Sequence, residues 1–458
     1  MLKQNSFFIQ FARKIGMDGA IAYSSAARVF QAFAGVISII FIATFLTGEE
    51  QGFFYTFGSI LAIQTFFELG FTGIMTQYVA HEVVHLTLNE NFVYVGEQKF
   101  KSRLAYLVRF CIKWYSVVAV LFLIVVITVG IVYFYRFDTS NGTINWKVPW
   151  LLLCFSTAVK LFQSPFTAIY TGLGKVKEMN EISFYQQLVI PVSQWVLFAC
   201  GAKLYVVGIS SFLGVLVWCW LVWKKSLVKI LDGLFKETIT ETVSYMNEIF
   251  PYQWKIALSW ISGYFIFQLF NPVLFATEGP VVAGQMGMTI SVLSAIQAFA
   301  YSWQNTKIPQ YSGYIALKQY NELDTVFSKT LHQMMGVCLV LVLLMYGGIS
   351  LLKVTDFQIG GSVLGERFLS FIPLTLMVIP MILNLYIGSW ATYLRCHKQE
   401  PYLVNSIVVG LLCGASTFFL GKMFGLYGIT IGYCCITAFV AFPWAYRIYY
   451  SKKKEWHG

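Results

Sequence analysis

The chain has 458 residues, 57% of them hydrophobic and only 12% charged, with 32 Lys+Arg against 21 Asp+Glu and a formal charge of +11. A soluble protein of this size carries roughly twice that charged fraction, so a soluble enzyme or nucleic-acid-binding domain is excluded as the body of the molecule. The positive excess suits the anionic inner leaflet of a membrane, and no nucleic-acid partner is expected.

Residues 4–15 open the chain as a short amphipathic helix, with Phe7, Phe8, Phe11 and Ile15 on its apolar face. Twelve apolar stretches follow, each of the about 20 residues that a spanning helix needs. They run 20–46, 53–79, 106–134, 150–173, 182–202 and 204–223 in the first half of the chain. The second half gives 255–276, 281–305, 331–352, 368–393, 403–421 and 425–447. They lack the alternation of barrel strands, and lipid cannot satisfy an open strand edge. An all-α polytopic membrane protein is therefore predicted.

Basic residues set the orientation. Six of the 32 fall on alternate loops (Arg136, Lys147, Lys203, Lys353, Arg367 and Lys422), and two, Arg28 and Lys160, fall within spans. The remaining 24 gather on the other side, which places both termini in the cytoplasm by the positive-inside rule. The nine cysteines form no C-x-x-C and read as packing thiols.

The two halves are similar to each other. Ala62–Phe66 matches Ala295–Phe299, Phe100 and Leu104 match Phe327 and Leu331, and Tyr170 and Lys175 match Tyr393 and Lys398. Six spans per half make this a parallel repeat. The expectation is an N-terminal lobe, 1–223, a cytoplasmic linker, 224–254, and a C-terminal lobe, 255–458, with a substrate site between pseudo-symmetric lobes.

Charge at membrane depth marks an aqueous cavity or a relay by default. In the first lobe Arg28 shares a helical face with Ser24, Gln31 and Gly35. Glu68 lies in a polar stripe with Gln64, Thr65, Thr72 and Thr76, and Lys160 lies with Ser156, Gln163 and Thr167. The bland reading is an Arg28–Glu68 or Lys160–Glu68 ion pair that only locks helices. The second half adds Lys255 and Lys307 near inner helix ends, with amides at Gln268, Asn271, Gln285, Gln297 and Asn384, most of them expected to bond between helices. Four cations against Glu68 suit an anionic substrate, such as a phosphate or pyrophosphate.

His81-Glu82-Val83-Val84-His85 spells H-E-x-x-H, whose helical spacing would put two zinc ligands on one face with Glu82 as general base. The candidates for a third ligand are poor, Glu90 and Glu97 in an expected exposed loop and His332 and His397 near the inner ends of other spans. No metal and no cofactor are therefore expected, and a membrane zinc metalloprotease is the different-class alternative. No phosphate-binding P-loop and no G-x-S-x-G elbow occur, and catalysis is not expected.

The run Thr44-Phe45-Leu46-Thr47-Gly48-Glu49-Glu50-Gln51-Gly52-Phe53-Phe54-Tyr55, then Phe67-Glu68-Leu69-Gly70-Phe71 and Gln77-Tyr78-Val79-Ala80-His81-Glu82, resembles the polysaccharide-transporter branch of the MOP/MATE exporter superfamily, in particular O-antigen (Wzx-type) flippases. The resemblance implies two six-helix lobes that open alternately to the two sides of a bacterial inner membrane. It also implies a polyprenyl-pyrophosphate-linked glycan as substrate, for O-antigen, lipopolysaccharide or other polysaccharide synthesis. Its head group would sit among Arg28, Lys160, Lys255 and Lys307, with Gln64 and Gln297 in the same cavity. Glu68 would pair with a cation or carry a coupling proton or sodium ion, and a glycan polymerase would be a partner. Drug exporters of the superfamily carry an acidic coupling residue in the first helix. Arg28 stands there instead, which disfavours the MATE-like drug or metabolite exporter that is the nearest alternative.

Overall fold

The computed structural model describes residues 19–457 apart from 91, 141, 360, 361 and 398; the side chains of 19–29 and of a few single positions, Lys255 among them, are not described. The amphipathic helix expected at 4–15 lies outside the described residues.

The protein is an all-α polytopic membrane protein. Among the described residues nine helices are long and apolar enough to cross a membrane, from Gly48–Val83 to Leu403–Trp456. The twelve predicted stretches all fall on helix, and the lower count has physical causes. Leu403–Trp456 carries two predicted stretches in one helical run, kinked at Gly425 (φ 56, ψ −134). Val176–Ala199 is helical but diluted by Glu178, Glu181, Gln186, Gln187 and Pro191. Gly19–Phe45 is described with side chains mainly in its apolar end, Phe33–Phe45.

Two predicted spans are broken. The second is three pieces, Gly48–Leu61, Gln64–Glu68 and Phe71–Val83. Its second break places Leu69 (φ 50) and Gly70 (φ 66) in the left-handed region, where Gly is at ease and Leu is not. The seventh is Phe250–Phe267 followed by Phe270–Glu278. Pro272, which has no N–H to continue a helix through 268, sits in the first turn of the new piece, where that N–H is not needed.

The chain forms two compact units. One comprises 1–34, 64–132 and 145–257; the other comprises 35–63, 133–144 and 258–458. In the first unit, Phe71–Val83 packs against Lys147–Gly172, and a Cβ at Gly172 would lie 2.7 Å from the Thr76 carbonyl oxygen. Lys147–Gly172 packs in turn on Tyr205–Lys224.

The linker 224–254 folds onto this same unit. Leu227–Lys236 is amphipathic and buries Leu227, Ile230, Leu231 and Leu234. Arg109 caps its C-terminal end by donating to the carbonyls of Phe235 and Glu237. Ser102 accepts from the amides of Thr240 and Glu241, each at 2.7 Å.

In the second unit, Gly48–Leu61 crosses Pro280–Asn305 at very short range. A Cβ at Gly52 would lie 1.9 Å from the Pro280 carbonyl oxygen, and one at Gly284 2.9 Å from the Gly52 nitrogen. Small residues let the two backbones meet. An aromatic cluster of Tyr311, Phe327, Trp390 and Tyr393 closes one end of the unit, with the Tyr393 hydroxyl donating to Asp324 at 2.6 Å.

Candidate functional site

The helix break after Glu68 builds the polar site of the first unit. Glu68 is the last residue of Gln64–Glu68, so its carboxylate stands beside the first turn of Phe71–Val83. Thr72 and Ser164 both donate to Glu68 Oε1, Ser164 at 3.1 Å. The Thr72 hydroxyl lies 3.0 Å from that of Ser164 and 3.3 Å from that of Tyr115. With the Thr72 and Ser164 protons on Glu68, Tyr115 donates into Thr72. Glu68 Oε2 makes no hydrogen bond among the described residues.

Lys160 is one helical turn before Ser164, on the same face of Lys147–Gly172. Glu68 is the charge that acts on it. Yet no direct ion pair forms among the described residues, because hydroxyls already hold Glu68. Lys160 keeps accessible surface. The pair can offer an ammonium to an anion and a carboxylate to a proton or cation.

The remaining expected site residues divide as follows. Gln64 is half-buried and opens the short helix that ends at Glu68. Arg28 and Lys255 lie on described helices, Gly19–Phe45 and Phe250–Phe267, but their side chains are outside the described residues. Gln297 and Lys307 belong to the other unit. There Gln297 hydrogen-bonds Tyr301, and Lys307 is exposed as the cap before Ile308–Ala316. Three of the other amides bond between elements of that unit: Asn271 to Ser59 at 3.0 Å, Gln285 to the Glu366 carbonyl at 2.8 Å, and Asn384 to Tyr433 at 2.9 Å.

The H-E-x-x-H stretch has a structural occupation. Glu82 is buried and its Oε1 accepts from Arg103 Nε at 2.9 Å; Arg103 also donates to Glu248 Oε2 at 3.0 Å. The guanidinium therefore ties Phe71–Val83, the start of Gln98–Phe137 and the linker together. His85 stacks on Phe100 with ring centroids 4.0 Å apart. A carboxylate locked to Arg103 is not placed as a general base. Among the described residues no three His, Cys, Asp or Glu side chains are grouped to hold a metal ion.

One polar centre was not foreseen. Arg367, counted with the outer loop charges, is only 5% exposed in the second unit. Its Nη2 donates to the Leu46 carbonyl at 2.6 Å, and Gln51 donates to the Gly284 carbonyl at 2.8 Å and to the Arg367 carbonyl at 3.3 Å. Burial pushes the guanidinium pKa down and the nearby Glu50 opposes it. Thr47 and Glu50 form a reciprocal capping box, which the T-x-x-E spacing alone could have announced. The run Thr44–Tyr55 is thus, in this structure, a cap and close helix crossing.

Comparison with known proteins returns likeness in shape and none in sequence. No family model matches the chain, and no curated protein does. An inward-facing multidrug resistance MATE transporter of the MOP superfamily aligns with a TM-score of 0.58 at 13% identity, covering 93% of this chain and 99% of that one. The chain shares the fold of that transporter. The lipid II flippase MurJ, in an inward closed conformation, also aligns with a TM-score of 0.58, at 11% identity over 94% of this chain and 87% of that one. The MATE multidrug transporter DinF-BH, in a ligand complex, aligns with a TM-score of 0.56 at 14% identity, covering 95% of each chain.

Proposed function

We propose that this chain is a flippase that carries a polyprenyl-pyrophosphate-linked oligosaccharide from the inner to the outer leaflet of a bacterial inner membrane. The observation that carries the reading is Lys160, an accessible ammonium in the first unit that no carboxylate among the described residues neutralises directly. A cation at that depth is costly unless water or an anionic ligand reaches it, and a pyrophosphate supplies the missing charge. In this reading Arg28, Lys255 and Lys307 add to the positive field, while Gln64 and Gln297 meet the sugar. The moving bodies are the six-helix lobes 1–223 and 255–458, joined by 224–254, with both termini cytoplasmic. Glu68, held by hydroxyls, carries a coupling proton or sodium ion. The chain performs no catalysis itself and hands its cargo to a glycan polymerase.

Two supports stand beside the geometry: the residues that resemble O-antigen flippases, and a fold shared with a lipid II flippase. The same fold is shared with multidrug transporters, one of them in a ligand complex. Glu68 is the feature that favours that second reading, since a carboxylate suits a cationic drug.

The test is the sidedness of lipid-linked glycan in cells that lack the protein and any second flippase, with wild type, Lys160→Gln or Arg28→Ala added back. Lys160→Gln should cut export about 10-fold or more, the worth of one charge-assisted hydrogen bond, at unchanged membrane abundance. Normal sidedness without the protein would discard the flippase, and drug sensitivity of the same cells would then support the exporter.

A further inference from the structure

A cavity lies wholly within the second unit, where Ile308–Ala316 meets the last turn of Phe371–Cys396. Its volume is about 630 Å³, within the usual size of small-molecule sites. One wall is apolar: Ile308, Ile315 and Ala316 share a face of their helix. The opposite wall is polar, with Arg395, Cys396 and His397, and the Cys396 thiol shares a hydrogen bond with Ser312 across the cavity.

Arg395 is only partly engaged. Its Nε and Nη2 donate to the two oxygens of Glu400 at 2.6 and 3.1 Å, and Nη1 has no acceptor among the described residues. Exposed lysines flank the apolar helix at both ends, Lys307 before it and Lys318 after it. Glu400 is the one carboxylate that pairs directly with Arg395 among the described residues.

We propose that this cavity binds the phosphate group of an amphiphile, with the phosphate on Arg395 Nη1 and the apolar stem along Ile308, Ile315 and Ala316. A guanidinium fork matches phosphate oxygens, which a lysine cluster alone would not select for. A bare anion would have no use for the apolar wall, and a neutral apolar molecule none for Arg395. A polyprenyl phosphate and a bilayer phospholipid both present this chemistry. The site rests on Arg395, whereas the transport reading rests on Lys160, so the failure of one leaves the other standing.

Cys396 lines the cavity and reports its occupancy. In the purified full chain, maleimide alkylation of Cys396 is followed by peptide mass spectrometry, with the exposed Cys200, Cys219 and Cys435 as fold controls. The probes are farnesyl phosphate, dihexanoyl phosphatidic acid, farnesol and inorganic phosphate. The phosphate amphiphiles should slow Cys396 at least 5-fold and leave the control cysteines unchanged. The stronger of the two names the source, isoprenoid carrier or bilayer lipid. Arg395→Gln should abolish the protection, and Arg395→Lys should restore part of it. Equal protection by farnesol or by inorganic phosphate, or protection that survives Arg395→Gln, overturns the proposal. Should Cys396 not react at all, native mass spectrometry of retained phosphatidic acid decides. Equal retention by wild type and Arg395→Gln counts against the site.

Discussion

The charges in and beside the apolar helices of this protein are met differently, and the manner separates those that tie chain segments together from those that do not. Arg367 is held by the Leu46 carbonyl and Gln51, and Glu82 by Arg103; both hold chain segments together. Glu68 is held by hydroxyls, and Lys160 has no direct partner among the described residues. Glu68 and Lys160 were legible because a charge inside an apolar run stands out. Arg367 was not, because a basic residue in a short loop reads as solvated until packing shows otherwise. Nor could spacing reveal that Glu82 meets an arginine 21 positions away, rather than a metal.

Glu248 gives a pH prediction. Burial would raise its carboxyl, but the Ser244 amide and Arg103 outweigh this and hold it below the usual carboxylate range. A folded pKa below the unfolded one adds stability above the ordinary carboxylate value, lost as pH falls through the folded pKa. The linker clamp should therefore loosen only in acid, below about pH 4.5. Proteolysis at 237–244, read across that range with an acid-tolerant protease, should accelerate in wild type. Arg103→Ala should show the fast rate already at neutral pH.

At the level of elements, hydropathy runs straight through helix breaks. The twelve stretches were readable from composition, but the Leu69–Gly70 break was not, since apolar residues continue on both sides of it. Pro272 carried a signal for the other break, which the unbroken stretch 255–276 passed over. At Gly425 the kink holds the left-handed backbone, and the Glu278 carboxylate accepts the amide of Leu426 beside it. A Cβ at Gly425 would lie 1.6 Å from Glu278 Oε1. Gly425→Ala should thus destabilise by about 2 kcal/mol or more, seen as a lower midpoint in thermal unfolding of the detergent-solubilised protein. Gly263, whose added Cβ would meet nothing within 4 Å, is the control, and Gly263→Ala should leave the midpoint nearly unchanged.

For the whole molecule, the count of basic residues predicts cytoplasmic termini, and the fold agrees with transporters of known structure at TM-scores near 0.58. A fluorescent protein fused after residue 458 should mature and fluoresce, as it does only in the cytoplasm, while a periplasm-dependent alkaline phosphatase at the same position should stay inactive. The reverse pattern would invert every loop assignment. Shape was recoverable from composition because lipid leaves so few ways to satisfy a backbone. Cargo was not, because a site needs only a few side chains and the fold admits many chemistries.

The polar cage around Glu68 also bears on how the protein is made. Gly48–Val83 is among the least apolar of the candidate spans and Gln98–Phe137 the most. During synthesis the earlier segment reaches the translocon first, carrying a carboxylate that lipid alone would reject. Its retention is favoured once the later, strongly apolar helix arrives with Tyr115 to contact Thr72. The two segments would then leave for the bilayer as a hairpin. The hydroxyls that serve the mature site would have a first duty in biogenesis, as the company without which Glu68 could not enter the membrane.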